Sequence, residues 1–459
     1  MWIDDVELAL PLLFALTLGA SIAGRLVTGS GLPRTPLLVV ASALPLGLTA
    51  WSLTLFAAYL VTPEHGFASA LTICAAAILW LLWSAHRLVA APVARSVAPA
   101  REMSAIRRSV VALATALLLL CFANACWQWY AVTAHHPFGG GDAQAFWHLK
   151  ARFLCLDPGA WRNMFAADLA FAHPDYPLLL PCAVALGWLW HGTEATLWPA
   201  WIALGFLTST ALVVLWFVAM RVGWTVGCVA AGFLLVVPRI VVEAAQQYAD
   251  VPLMFFATLA AFLSVCQPAS DRRSPLLFAG LAAGAAAWTK NEGLPLCAIV
   301  LALTAARHRL RAWPALLGAA APLLASMIVR TMAEVADFTL SARAQADRLA
   351  VILDGIGTYA FDLGPEANAT NGSWLGLWWL FAIVLMAAAL VRRVTLFLDR
   401  DSLLAAIVLL QVVAYVVAYV VSPNPADWHV RTSMGRLMVH PAAIALAFAV
   451  IACRPRKGE

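Results

Sequence analysis

Charge is what this sequence has little of. Of its 459 residues 12% are charged, 29 basic and 24 acidic, while 63% are hydrophobic. A soluble domain is about 45–50% apolar and about 25% charged. A soluble globular enzyme and a disordered chain are therefore excluded. Collagen, a coiled coil and a disulfide-stapled miniprotein fail on the same composition. The nine cysteines contain no CxxC pair and sit mostly inside apolar runs. They read as small core residues, not as a disulfide frame or a metal site. No GxxxxGK[ST] string occurs, so there is no P-loop nucleotide site. The first apolar run lacks a basic flank and a small-residue cleavage site, and reads as a retained helix.

What the sequence does have is apolar runs of roughly 17–25 residues from end to end, the length a helix needs to cross a bilayer. They do not alternate apolar with polar, which excludes a β-barrel. The expected fold is an all-α polytopic membrane protein with thirteen crossings at 7–27, 36–61, 66–86, 109–131, 196–220, 223–242, 251–267, 276–289, 294–306, 313–331, 374–391, 403–421 and 436–453. The segments 276–289 and 294–306 are short, and read either as a tilted pair around Lys290-Asn291-Glu292-Gly293 or as one re-entrant hairpin. The stretch 177–191, with two prolines, reads as a helix lying in the interface. The segment Ser341 to Asp354, with Arg343, Asp347 and Arg348, reads as an amphipathic outer helix. Most of the twenty Trp residues read as interfacial anchors. Asn368-Ala369-Thr370 and Asn371-Gly372-Ser373 are chance sequon-like strings.

Placing the Arg-rich loop 87–108 in the cytoplasm puts 19 of the 29 basic residues and five acids on that side. The balance is +14 against −9, a strong positive-inside signal. The N-terminus then faces outward and the C-terminus inward. The long loops 132–195 and 332–373 are outer, so any chemistry faces outward, where nucleotides are scarce. Three parts follow: 1–108, three leading helices and a basic loop; 109–331, a core with the outer loop 132–195; and 332–459, an outer loop with terminal helices.

Ionisable residues at membrane depth are costly and are candidates for function. Gly139-Gly140-Gly141-Asp142 opens a short basic helix. Asp142 reads either as its N-cap or as a general base at the membrane surface. The glycines permit close backbone approach. His173-Pro174-Asp175-Tyr176-Pro177 is a rigid corner, with Asp175 either a turn residue or a functional acid. Glu243 to Pro252 packs Gln246, Gln247, Tyr248 and Asp250 into a tight junction. Asp250 caps a helix, with Pro252 near its first position, or lines a wet pocket. Thr289-Lys290-Asn291-Glu292-Gly293 gives either an interhelical ion pair or a cation placed for a phosphate. Asp427 to Arg436 adds His429, Arg431 and Arg436.

In this order the clusters resemble the GT-C superfamily of integral-membrane glycosyltransferases. The branch most resembled is that of the protein O-mannosyltransferases and lipid A aminoarabinose transferases. The likeness rests on Asp142 in the first outer loop, the His173-Pro174-x-x-Pro177 corner, Ala249-Asp250-Val251-Pro252-Leu253 and Thr289-Lys290-x-Glu292-Gly293. It covers 109–306 by motif and 313–453 mainly by hydropathy; spans 7–86 are extra. Trp428-His429-x-x-Thr432-Ser433-x-x-Arg436 is similar to a string in bacterial members.

The resemblance implies transfer of a sugar from a polyprenyl-phosphate carrier to a lipid, glycan or protein acceptor. It implies inversion and a site at the outer face of a bacterial inner membrane. It implies Asp142 as the base and Asp250 as the second acid. Lys290 would neutralise the leaving phosphate with Arg431 or Arg436. His173, Asp175, Tyr176, Tyr248, Glu292 and His429 complete the substrate site. Asp175 stands where many members carry proline, which leaves three acids to share two roles. No obligatory metal is expected, although His148, His173, Asp142, Asp175 and Asp250 could ligate a divalent ion. No nucleic acid partner is expected. Two other readings remain: a transporter or flippase, and an O-antigen polymerase or ligase using a polyprenyl-diphosphate donor.

Overall fold

A segment surrounded by lipid must pair its own backbone N–H and C=O groups, so long apolar runs fold as helices. The structure, a computed structural model, describes residues 5–27, 32, 35–89, 104–194, 197–266, 274–334, 348–363, 373–392 and 401–454. It is 88% helical and has no strand among the described residues. The helices are α1 (Asp5–Val27), α2 (Thr35–Val61), α3 (Gly66–Val89), α4 (Ala105–His135), α5 (Leu149–Leu156), α6 (Leu179–His191), α7 (Leu197–Arg221), α8 (Trp224–Val236), α9 (Pro238–Ala245), α10 (Asp250–Val265), α11 (Ser274–Thr289), α12 (Gly293–His308), α13 (Trp313–Met332), α14 (Arg348–Ala360), α15 (Leu377–Arg392), α16 (Ser402–Val421), α17 (Ala426–Leu437) and α18 (Val439–Ala452).

Seven helical stretches among the described residues are long and apolar enough to cross a membrane. Two bent pairs raise the number to nine: α8 with α9, bent by 60°, and α17 with α18, bent by 47°. Shorter apolar helices occupy Leu179–His191, Asp250–Val265, Ser274–Thr289 and Leu377–Leu390. These helices make the chain an all-α, multi-pass membrane protein. The segments around Lys290 form two helices packed on each other about a three-residue turn.

Small residues let the backbones approach. A Cβ on Gly19 would lie 1.7 Å from the Ala43 carbonyl oxygen, and one on Gly280 would lie 1.8 Å from that of Ala315. Gly284 faces Ala319 in the same way, so α11 and α13 run in the same direction. Such small-residue seams are how helices associate where no hydrophobic drive exists between them.

The leading helices are built into the core. Trp51 Nε1 on α2 donates to the Cys182 carbonyl at 2.9 Å, Trp288 Nε1 to Ser52 Oγ at 2.9 Å, and the Tyr59 hydroxyl to the Leu154 carbonyl at 2.5 Å. This revises the reading of tryptophan as mainly an interfacial anchor. Trp51, Trp147, Trp161, Trp188, Trp198, Trp216, Trp288 and Trp374 are fully buried. Several direct the indole N–H to a carbonyl, as Trp198 does to Ala183 and Trp374 to Tyr359. A buried indole needs that partner.

The stretch 177–191 is helical, as expected. It forms α6, but Leu179 to Trp188 are all buried in protein. It packs on α2, α5 and α7, so neighbouring helices cover it on every side. Of the segment Ser341 to Asp354, the described residues, from Arg348 on, begin α14. Arg348 at its start donates to the carbonyls of Ser422 at 2.7 Å and Asn424 at 2.9 Å beyond α16. Arg343, Asp347 and the strings at Asn368 and Asn371 lie outside the described residues. No disulfide forms among the described residues, and five of the nine cysteines are buried.

Candidate functional site

Four of the sequence clusters meet where α9, α10, the α11–α12 turn, α17 and the segment after α4 converge. The glycines come first. Gly139 has φ +70°, and a Cβ there would press on the Gln246 carbonyl oxygen at 2.6 Å. A Cβ on Gly140 would lie 2.2 Å from the Tyr248 hydroxyl. The Gly140 amide donates to the Gln246 carbonyl at 3.0 Å. Gln247, itself left-handed at φ 61°, donates from Nε2 to the Pro137 carbonyl at 3.0 Å. The glycine run thus lies directly on the Gln246–Tyr248 junction.

Asp142 is not an N-cap. Its backbone is helical, it makes no capping bond, and a π-helical turn, Ala143–His148, follows it. Its Oδ2 instead accepts from Nη1 of Arg436 on α17. The Arg436 guanidinium lies 5.1 Å from the centre of the Tyr248 ring, a cation–π distance. Burial, and then the Asp142 charge, push the Tyr248 phenol up to about 12.

Asp250 is likewise not a cap. It is the first residue of α10, so Pro252 falls at the third helical position and not the first. Asp250 is 1% exposed. Its Oδ1 accepts from Lys290 Nζ at 3.0 Å and from His440 Nε2 at 2.8 Å. Lys290 Nζ also meets Glu292 Oε1 at 3.0 Å. Burial alone would pull the Lys290 ammonium down, but the charges of Asp250 and Glu292 outweigh it and hold the group above its ordinary range. Arg436 feels the field of Asp250, Asp142 and Glu243 together. One guanidinium therefore pairs with Asp142 while lying within the field of Asp250.

The His173 corner docks onto the same turn. Asp175, 2% exposed, accepts at Oδ2 from Asn291 Nδ2 at 2.8 Å. Lys150 donates to the carbonyls of His173 at 2.5 Å and Tyr176 at 3.3 Å, which fixes the corner. The His173 and Tyr176 rings stack at 4.7 Å, Tyr176 stacks on Trp147 at 5.6 Å, and His173 meets Phe146 edge-on at 4.5 Å. His148 points elsewhere. It is buried edge-on to Trp188, with neither ring nitrogen hydrogen-bonded among the described residues. Burial, with help from Arg152, pulls its pKa down to about 3.

Two expected residues stand apart. Arg431 is exposed on α17 and outside the cluster. His429 packs edge-on against Tyr419 at 4.7 Å, and its carbonyl accepts from Ser433 Oγ at 2.6 Å. Three residues were not signalled by the sequence. Arg239 on α9 lies 3.5 Å from Glu243 Oε1 and reaches α17 only because Gly435 has no side chain, a Cβ there standing 1.7 Å from Arg239 Nη2. His440 on α18 and Tyr415 on α16 complete the set, the Tyr415 hydroxyl lying 2.7 Å from His440 Nδ1. Each sits within an apolar run that conceals it. No group of three or more His, Cys, Asp or Glu fit to hold a metal occurs among the described residues.

Fold and site together define a class: a multi-pass α-helical membrane protein with a hydrogen-bonded cluster of acids and bases, buried at Asp250, Lys290 and His440 and half-buried at Asp142 and Arg436. No protein-family model, curated protein or solved structure matches the chain.

Proposed function

We propose that this protein is a glycosyltransferase of the GT-C type. It moves a sugar from a polyprenyl-phosphate carrier to an acceptor hydroxyl or amine at the outer face of a bacterial inner membrane. The observation that carries the reading is the meeting of two ion pairs, buried Asp250–Lys290 and half-buried Asp142–Arg436, from residues scattered over almost 300 positions. In this reading thirteen helices cross the membrane, the N-terminus faces outward and the C-terminus lies in the cytoplasm.

The chemistry follows from the contacts. At rest Arg436 occupies Asp142. A donor phosphate entering beside Arg436 competes for the same guanidinium and frees the carboxylate. Asp142 then takes the proton of the acceptor as its oxygen or nitrogen attacks the anomeric carbon. The bond from that carbon to the phosphate oxygen breaks, the configuration inverts, and polyprenyl phosphate leaves. Arg436 and Lys290 stabilise the phosphate charge, as preorganised cations do in a site that excludes water. Asp250 holds a sugar or acceptor hydroxyl. A positioned base contributes about 10²–10⁴-fold.

The test is transfer from a polyprenyl-phosphate sugar by the purified full chain, with a polyprenyl-diphosphate donor assayed alongside because Arg239 brings a second guanidinium beside Arg436. Asp142→Asn abolishes transfer while leaving folding intact; a fully active variant refutes the mechanism. A transporter is the second reading, favoured by the bends at α8–α9 and α17–α18, which bring interrupted helices to charged groups. Uptake into proteoliposomes without sugar transfer would select it.

A further inference from the structure

Two members of one buried chain of hydrogen bonds, Tyr415 and His440, are used neither by the sequence motifs nor by the reaction above. Tyr415 on α16, His440 on α18 and Asp250 on α10 follow one another at 2.7 Å and 2.8 Å, and Lys290 reaches the same Asp250 oxygen at 3.0 Å. None of Tyr415, His440 and Asp250 is more than 3% exposed. The partners settle who donates. An Asp250 carboxylate against an ammonium only accepts, so the imidazole carries its proton on Nε2. Nδ1 then offers a lone pair, which takes the Tyr415 hydroxyl. As a neutral ring of this tautomer His440 has both nitrogens satisfied and brings no further charge into the interior. The Tyr415 ring meets it edge-on at 5.9 Å and 70°.

Both contacts fall on Oδ1. Among the described residues no hydrogen bond is made to Oδ2 of Asp250. A carboxylate held at one oxygen by two donors, from two directions, has its second oxygen aimed. We infer that His440, braced by Tyr415, is a positioning residue that fixes Asp250 so that Oδ2 accepts the hydrogen of a sugar hydroxyl. The choice of ligand rests on the transferase reading; the orientation of Asp250 does not.

A purely structural network would also pin α10, α16 and α18 together, so the test needs a readout that packing alone does not move. The full chain in nanodiscs is assayed with a polyprenyl-phosphate sugar and a series of its deoxy analogues, as wild type, His440→Leu, His440→Gln and Tyr415→Phe. Losing a hydrogen bond to a charged group predicts about a 10- to 100-fold lower kcat/KM for His440→Leu. His440→Gln, whose amide can still donate to Oδ1, recovers most of it. On one deoxy analogue the wild type loses as much as His440→Leu does, and His440→Leu loses nothing more. Equal penalties for His440→Leu on every deoxy donor overturn the inference. A second arm needs no turnover: ¹⁵N-imidazole spectra, with His440 assigned by difference from His440→Gln. Wild type shows the Nε2–H tautomer, and Asp250→Asn shifts it; an Nδ1–H tautomer, or no response to Asp250→Asn, overturns the inference. If wild type transfers no sugar from any such donor, the transferase reading falls, and the spectra still decide whether His440 orients Asp250.

Discussion

Replacing Lys290 with methionine tests the ionic centre most directly. Methionine keeps the unbranched stem and removes only the ammonium. Lys290 is 4% exposed, and its Nζ serves Asp250 and Glu292 at 3.0 Å each. Without it Asp250 keeps His440 as its hydrogen-bond donor and remains in the interior as a negative charge. Breaking a buried pair by removing one partner costs about 3–5 kcal/mol. Asp250→Asn in the same protein removes the stranded charge, so the double variant regains much of that loss. The coupling energy of residues in one network is about 0.5–3 kcal/mol, and this pair belongs at the upper end because both groups are shielded from water. The assay is reversible unfolding in mixed micelles, followed by the fluorescence of the buried tryptophans. Additivity of the two single variants to within about 0.5 kcal/mol would refute the pairing.

The pair also has a pH signature. Because the folded Lys290 pKa lies above its ordinary 10.5, its contribution is complete below that value and is lost as the pH rises through the folded one. The cost of Lys290→Met is therefore flat through neutral pH and shrinks at strongly alkaline pH. His148 has the opposite dependence. Its folded pKa of about 3 lies below the ordinary 6.5, so the unfolded chain gains the proton first and stability falls as the pH drops below 6.5. At pH 5 this costs about 2 kcal/mol, which His148→Phe abolishes in acid unfolding curves. Gly280→Ala places a methyl 1.8 Å from the Ala315 carbonyl oxygen, backbone that cannot swing aside. It lowers stability by at least about 3 kcal/mol, beyond ordinary overpacking, read as loss of monodisperse protein on extraction. Tyr59→Phe removes the hydroxyl that holds α2 to α5 and costs about 1 kcal/mol, measured by the same unfolding assay.

Hydropathy made the helical, membrane-crossing nature of the chain legible, and the rarity of charge made its functional candidates conspicuous. Asp142, Asp250, Lys290, Glu292 and Arg436 stood out because an ion beside an apolar run is costly. Their partners were harder to assign. Asp142 and Asp250 stand before apolar segments, where an acid caps a helix in most proteins, and nothing local distinguishes a cap from an ion pair closed by a residue far along the chain. His440 and Tyr415 were hidden for the opposite reason: each is amphipathic enough to pass inside a hydrophobic run. Arg239 lies between valine and isoleucine segments, and its access to α17 depends on a glycine almost 200 positions away. The enclosure of α6 was illegible because its residues are apolar on all sides, and periodicity cannot tell lipid from protein as the covering material.

The break between α17 and α18 has a mechanical consequence. Arg436 and His440 stand on either side of it, one gripping Asp142 and the other Asp250. The joint carries a carboxylate on each arm. Any tilt of α17 against α18 would change the span between the two acids without breaking either helix, so Asp142 and Asp250 share one hinge although they stand more than 100 positions apart in the chain.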